Sequence, residues 1–360
     1  MVMAMDFFMF NNKTILITGG TGTWGREFTW QLLKHADPKE IRIYSRNEYQ
    51  QTKARRLFAK ETARLKFIIG DVRDKDRLNT ATKGVDFIIH LAALKHVPIV
   101  EENPWEAVQT NIVGTQNVIE VATTNNIEKV LYVSSDKAVD PLNLYGMTKL
   151  VGERLIINAN DISGVKTRFI CYRAGNVMGS QGSVVPIFQE QILREGAVTV
   201  TDPSMTRFFM SVGDIVRQAL IAMTEGVGGE IFIPTMKATK LSDIVDVMIK
   251  NLGDGKTEVK KIDVRPGEKQ AELLITRQEA PRTKMYKELY VILPYFPSEA
   301  LTKKYGHLKT TLHDEFGSHN AELFSHDELK NLIKKEGFLE TLPLMHADAL
   351  HFKKGKYLYF

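Results

Sequence analysis

One cysteine, Cys171, is the only thiol in this 360-residue chain, so neither a disulfide framework nor a cysteine-based metal cluster is available to it. It lies inside an apolar run, where packing is its expected role, and a reducing compartment, the cytoplasm, fits best. No metal site is expected. No stretch of about 18 uninterrupted apolar residues occurs, so no membrane anchor is expected. The segment Met1 to Phe10 is apolar but short, lacks a basic flank, and reads as a start-site extension. Neither sign of charge dominates: 48 Lys and Arg face 43 Asp and Glu, and the formal +5 is spread along the chain, which does not imply nucleic acid. Internal repeats and low-complexity tracts are absent as well. What remains is ordinary globular composition, 43% hydrophobic and 25% charged, long enough for one large domain or two unequal ones.

Short apolar runs rich in β-branched residues recur at Thr14 to Thr18, Ile41 to Ser45, Lys66 to Ile69, Phe87 to Leu91, Val130 to Ser134 and Arg168 to Tyr172. Helical patterns separate them: Phe28, Leu32 and Leu33 mark one apolar face, and Val118, Ile119 and Ala122 another. Alternation of this kind predicts an α/β fold with a doubly wound parallel sheet. After about residue 176 the elements shorten and Gly and Pro punctuate them. The division expected is a nucleotide-binding Rossmann domain over 10–176 and a smaller C-terminal substrate-binding lobe over 177–330, interleaved with the last sheet elements. Residues 331–360 form a tail with no assignable pattern.

The first strand runs into Gly19-Gly20-Thr21-Gly22-Thr23-Trp24-Gly25 and then a helical pattern. Glycines let a backbone turn tightly against a pyrophosphate, and a helix N-terminus offers free N–H groups and positive potential. Gly19, Thr21, Gly22, Thr23, Trp24 and Gly25 are therefore candidate cofactor contacts, with the Trp24 side chain expected to pack. An NAD-type fold usually carries an acidic residue at the end of the second strand for the ribose hydroxyls. That acid is missing here. Tyr44-Ser45-Arg46-Asn47 stands in its place, and Ser45 and Arg46 suit a 2′-phosphate, so NADP is the expected cofactor, with Lys53 as a possible helper. Asp71 and Val72 end the third strand and Ala92, Ala93 and Lys95 follow the fourth. All lie at the carboxyl edge where cofactors bind, with Asp71 placed to accept from the adenine amino group.

The fifth strand ends in Ser134-Ser135-Asp136-Lys137, and Tyr145 precedes Lys149 by four residues on an expected helix, which puts phenol and ammonium on one face. A nearby ammonium favours the phenolate, so Tyr145 can take a hydroxyl proton while hydride leaves for a nicotinamide. These residues resemble the extended short-chain dehydrogenase/reductase family, and within it the inverting UDP-N-acetylglucosamine 4,6-dehydratases of pseudaminic-acid and capsule sugar pathways. The resemblance runs from about Phe10 to about Asn320. It rests on Ile17 to Gly22, Ile69 to Asp74, Ala93 to Pro98, Ser135 to Ala138, Leu144 to Lys149, Asp202 to Phe208 and Arg265 to Lys269, seven blocks in the family's order.

What the resemblance implies is an enzyme that oxidises C4 of a UDP-linked N-acetylhexosamine, eliminates water across C5 and C6, and returns the hydride to C6. Lys137 would be the C5 base and Asp136 the acid for the leaving hydroxyl, beside Tyr145 and Lys149. Lys137 can serve only if its pKa is lowered towards neutrality. For the substrate the family pattern points to Lys95, Asn176, Ser183, Val184, Pro186, Thr201, Met205, Thr206, Arg207, Arg265 and Glu268. The chain departs from the usual pattern at Ala174, at Gln181 and at Gln270-Ala271-Glu272. A closed homo-oligomer is expected. A nucleotide-sugar 4-epimerase or ketoreductase, which needs no Asp-Lys pair, and a non-catalytic NADP-binding sensor stand as alternatives.

Overall fold

The computed structural model describes residues 7–340 apart from 163, 181, 265 and 266. Nine strands form the main sheet: β1 (Thr14–Thr18), β2 (Glu40–Ser45), β3 (Leu65–Ile69), β4 (Phe87–His90), β5 (Lys129–Ser135), β6 (Arg168–Ala174), β7 (Ile231–Pro234), β8 (Thr283–Tyr286) and β9 (Leu289–Ile292). Their order is β8-β9-β7-β6-β5-β4-β1-β2-β3. From β3 to β7 every pairing is parallel, and β9 and β8 close one edge antiparallel. The doubly wound parallel sheet expected from the alternation is thus present. Helices cover both faces, and for that reason β1 and β4 are buried at every position. Each fully buried Ile of these strands contributes roughly 1.5–3 kcal/mol. The order reverses between β1 and β4, and the crevice opens at their carboxyl ends.

Phe10 is fully buried and meets the Phe87 ring edge-on at 5.6 Å, and Phe7 joins the same core. The end of the segment expected to be an extension is therefore part of the main core, because its phenyl rings cover the β4 side of the sheet. Cys171 packs inside β6, where burial pushes its thiol up.

A second core gathers Met178, Phe188, Val198, Phe209, Ile244 and Met248. Around it lie a three-stranded sheet, Lys237–Lys240, Thr206–Met210 and Asn176–Val177, and a parallel pair, Ala197–Val200 with Glu258–Lys261. The chain returns to the main sheet at β7, β8 and β9 between visits to this lobe. The helix His326–Lys335 carries Leu329 and Ile333 into the second core, and Phe338 follows them. A lobe boundary at 330 cuts this helix. Residues 331–340 are held by their apolar face, and the remainder of the expected tail lies outside the described residues. Among the described residues no helix is long and apolar enough to cross a membrane.

Candidate active site

The glycine turn follows β1 directly. Gly19 has φ +67°, and a Cβ there would meet the Ala92 backbone nitrogen at 2.9 Å, so a side chain is excluded on two counts. The helix Thr23–His35 begins with Gly22 as its N-cap and without a side-chain cap, which leaves its first N–H groups facing the turn. Trp24 packs as expected, 6.3 Å edge-on from Tyr172 and 6.2 Å from Phe28.

These residues form one end of a cavity of about 550 Å³ along the carboxyl edge of the sheet. Gly19, Thr21, Gly22, Thr23, Trp24 and Gly25 line that end. Ser45 and Arg46 from β2, Asp71 and Val72 after β3, and Ala92, Ala93 and Lys95 after β4 follow. Lys137, Tyr145 and Lys149 line the middle, with Asn176 and Ser183 beyond. The structure thus gathers the candidate cofactor residues around one space, with Lys53 the exception. It does not do the same for the substrate set. Val184 and Pro186 sit in the first turn of the helix Val184–Glu195, off the cavity wall, and Thr201 and Met205 are buried in the second lobe. Thr206 shares a 2.8 Å hydroxyl contact with Ser318. Arg207 stands 3.5 Å from Glu268 and donates to the carbonyl of Thr206 at 2.8 Å, and neither Thr206, Arg207 nor Glu268 reaches the cavity wall. Arg265 lies outside the described residues. Lys53 stacks over Tyr49, 4.6 Å from the ring centre, and does not line the cavity.

At the ribose end, Arg46 is half-exposed and 3.7 Å from the Asp71 carboxylate, which Arg73 also holds at 2.7 Å. Burial works to raise the Asp71 carboxyl, but the bonds from Arg73 and the charge of Arg46 outweigh it and hold it below its usual range. Thr110 Oγ1 and Ser134 Oγ are buried on the cavity wall without hydrogen-bond partners among the described residues. Unsatisfied hydroxyls in a polar cavity suit a ligand with its own donors and acceptors. Together with the cradle at Gly19, they fit a dinucleotide.

The helix Leu144–Asn158 starts at Asn143, whose side chain accepts from the Gly146 N–H at 2.9 Å. A Cβ on Gly146 would lie 2.1 Å from the Lys137 carbonyl oxygen, so glycine lets this helix seat against the Asp136-Lys137 turn. Tyr145 and Lys149 consequently face the cavity one turn apart. Lys149 Nζ donates to the Val133 carbonyl at 2.6 Å and lies 4.0 Å over the Tyr132 ring, and burial lowers its pKa to about 8. Burial raises the Tyr145 phenol, and the Lys137 charge and a hydrogen bond with Ser135 oppose that rise. Lys137, rather than Lys149 as the spacing suggested, is the cation acting on the phenol here.

Asp136 is 1% exposed and lies beneath the wall, its Oδ1 accepting from Ser135 Oγ at 2.7 Å and from Lys137 Nζ at 3.2 Å. Lys137 Nζ also reaches Asn176 Oδ1 at 3.3 Å and Glu272 at 3.5 Å. The lowered lysine pKa that base chemistry requires is not supplied by the residues around Lys137. Burial works to lower it, but the carboxylates of Asp136 and Glu272 outweigh burial and raise it. Asp136 adjoins Lys137 in the sequence, whereas Glu272 is brought to it by the fold, from the segment before the strand Leu273–Ile275.

Sequence reasoning also passed over Ser135, Thr110 and Asn111. Ser135 had a signal in its place at the end of the fifth strand. Thr110 and Asn111 lie on a π-helical segment, Val108–Val113, which a periodicity of 3.6 does not reveal. Asn111 pins the Leu94 backbone at 2.8 and 2.9 Å and donates to Thr148 Oγ1 at 2.9 Å, which ties the loop after β4 to the Tyr145 helix.

A phosphate turn at the switch point of a parallel sheet, with phenol and ammonium one helical turn apart in the same cavity, defines an extended short-chain dehydrogenase/reductase. Residues 15–294 match the family described as polysaccharide biosynthesis protein, and the chain belongs to that family. A Campylobacter jejuni protein named UDP-N-acetylglucosamine 4,6-dehydratase (inverting) is 45% identical over 289 residues, 79% of this chain and 84% of that protein. A Rickettsia bellii protein named UDP-glucose 4-epimerase is 39% identical over 336 residues, 90% of this chain and 96% of that protein. The X-ray structure of Pen from Bacillus thuringiensis superposes with a TM-score of 0.84 at 38% identity, covering 90% of this chain and 99% of that one.

Proposed function

We propose that this protein is an inverting UDP-N-acetylglucosamine 4,6-dehydratase, giving a UDP-4-keto-6-deoxy-hexosamine. The observation that carries the reading is the Asp136-Lys137 turn, held beside Tyr145 by the close approach of Gly146. A bound nicotinamide supplies a reversible hydride acceptor. Tyr145 takes the C4 hydroxyl proton, with Lys149 one helical turn away in the same cavity, Lys137 removes the proton at C5, and Asp136 receives the proton that Tyr145 took, through the Ser135 hydroxyl that links them, and gives it to the departing C6 hydroxyl. The epimerase reading is favoured by the Rickettsia relative, and it needs no acid-base pair at 136 and 137.

Mass spectrometry of the product separates the two: the dehydratase loses one water and the epimerase none. Hydride taken from C4 returns to C6, so added cofactor is expected to stay oxidised overall. Stoichiometric growth of absorbance from the reduced nicotinamide during turnover would contradict this reading and favour a simple dehydrogenase.

NADP is the cofactor proposed, supported by Ser45 and Arg46 at the cavity's ribose end and by the absence of an acid at the tip of β2. Arg46→Ala should weaken NADP binding by about tenfold or more while changing NAD binding little, as the loss of one charge-assisted contact implies. Equal losses for both, measured by titration calorimetry, would remove Arg46 from the 2′-phosphate site. We also propose cytoplasmic placement and a closed homo-oligomer. Exposed apolar side chains on adjoining helices, Ile99, Trp105, Met147 and Val151, support the latter.

A further inference from the structure

Lys137 has a second carboxylate beside it that comes from a distant part of the chain. Glu272 precedes the strand Leu273–Ile275, is 4% exposed, and sets Oε1 3.5 Å from Lys137 Nζ. Ser318 holds its backbone from both sides: the Glu272 N–H donates to Ser318 Oγ at 2.9 Å, and the Ser318 N–H donates to the Glu272 carbonyl at 2.8 Å. Glu272 Oε2 is buried with no hydrogen-bond partner among the described residues. A carboxylate oxygen in that state costs stability and is open to accept a proton.

The charged and titratable groups around Lys137 come from five places. Asp136 stands beside it in the turn after β5, Glu272 comes from the segment before the strand Leu273–Ile275, and Tyr145 from the helix Leu144–Asn158. Arg207 comes from the strand Thr206–Met210, and Lys95 from the loop after β4. Asp136 Oδ2 and Glu272 Oε2 are both buried without a hydrogen-bond partner among the described residues, and since the proposed reaction uses Asp136 on the C6 hydroxyl, Glu272 is the carboxylate left to serve Lys137. With these two anions facing it, Lys137 rests as an ammonium, and an ammonium cannot remove a proton from carbon. It must lose a proton before it acts.

We propose that Glu272 is the positioning residue of Lys137 and the acceptor of its proton, a role that rests on the dehydratase reading. One N–H bond of the ammonium breaks and one O–H bond forms on Glu272, giving a neutral amine and a neutral acid with no change in total charge. The amine then takes the C5 proton. The pair now holds one proton more than at rest and sheds it to water to reset, since inversion brings the new C5 proton from the opposite face as hydride returns to C6.

Glu272→Gln keeps the shape of the side chain and removes the acceptor. Water loss from UDP-N-acetylglucosamine, with nicotinamide cofactor present, is followed from about pH 6 to about pH 9 for both proteins. Wild type should be nearly flat, since the internal exchange releases no proton. In the variant the neutral amine arises only by proton loss to water, so the rate should rise about tenfold per pH unit and lie about 100-fold below wild type near neutrality. Glu272→Asp should recover part of the flat profile.

A second readout needs no turnover: reductive methylation of Lys137 by formaldehyde and cyanoborohydride in cofactor-free protein, located by peptide mass spectrometry. Losing a facing carboxylate makes the ammonium easier to deprotonate, so Glu272→Gln should react about tenfold faster than wild type. Parallel pH profiles, or equal methylation rates, overturn the role of Glu272 and leave the dehydratase reading standing. Wild type that removes no water overturns the dehydratase reading and this inference with it.

Discussion

Lys137→Ala is expected to lower turnover by about 10² to 10⁴, roughly 3 to 5 kcal/mol of barrier, and to abolish proton exchange at C5. The first half-reaction should be slowed but not abolished, because Tyr145 and Lys149 still line the cavity while the phenol loses the Lys137 charge that opposes its rise. Turnover in heavy water makes the two halves visible: wild type should place deuterium at C5 of the product, and the variant should not. A variant that keeps near-normal turnover with normal exchange would show that the base lies elsewhere. Lys95 and His96 come next, both lowered first by burial and then by a neighbouring lysine, Lys137 for Lys95 and Lys95 for His96.

Arg173→Met is expected to destabilise the fold by about 3 to 5 kcal/mol, the range found when one partner of a buried ion pair is removed. Arg173 is 1% exposed and donates to Glu153 at 2.7 and 2.9 Å, to Glu279 at 2.9 Å from both terminal nitrogens, and to the Leu274 carbonyl at 2.9 Å. Methionine fills much of the volume but leaves two buried carboxylates without their cation. The effect should also reach the site. Glu153 lies one turn beyond Lys149, and Leu274 lies two residues after Glu272, so this network fixes the Tyr145 helix and the Glu272 segment to β6. Chemical denaturation of wild type and variant measures the loss. A difference below about 1 kcal/mol would mean that the neighbouring chain relaxes to solvate both carboxylates.

The parts of the site that were legible in the sequence are those made by local chain. β1, Gly19 to Gly25 and the helix Thr23–His35 are contiguous, and their function follows from turn geometry and helix polarity. Tyr145 and Lys149 share a face because four residues make about one helical turn. The six core strands are likewise found within two residues of their expected ends, since strands buried on both faces read as continuous apolar runs. Arg207, Thr201 and Met205 were harder. Their motif was visible, but whether a side chain faces a cavity or the interior of a lobe depends on packing that no local pattern encodes.

The order of apolar runs, the glycine turn, the missing acid at the ribose position and the Asp136-Lys137 and Tyr145-Lys149 pairs were determined by the sequence alone, because each depends on neighbours within a few residues. Tertiary structure decided the electrostatics. Lys137 is held charged, not neutral, because Glu272, brought in by the fold, adds its charge to that of the adjacent Asp136. Thr110 and Asn111 enter the site through a π-helical turn, and residues 331–340 are drawn into the second core by Ile333 and Phe338. Coulomb interactions and burial act through space, and the distance between two charges is known only once the chain has closed on itself.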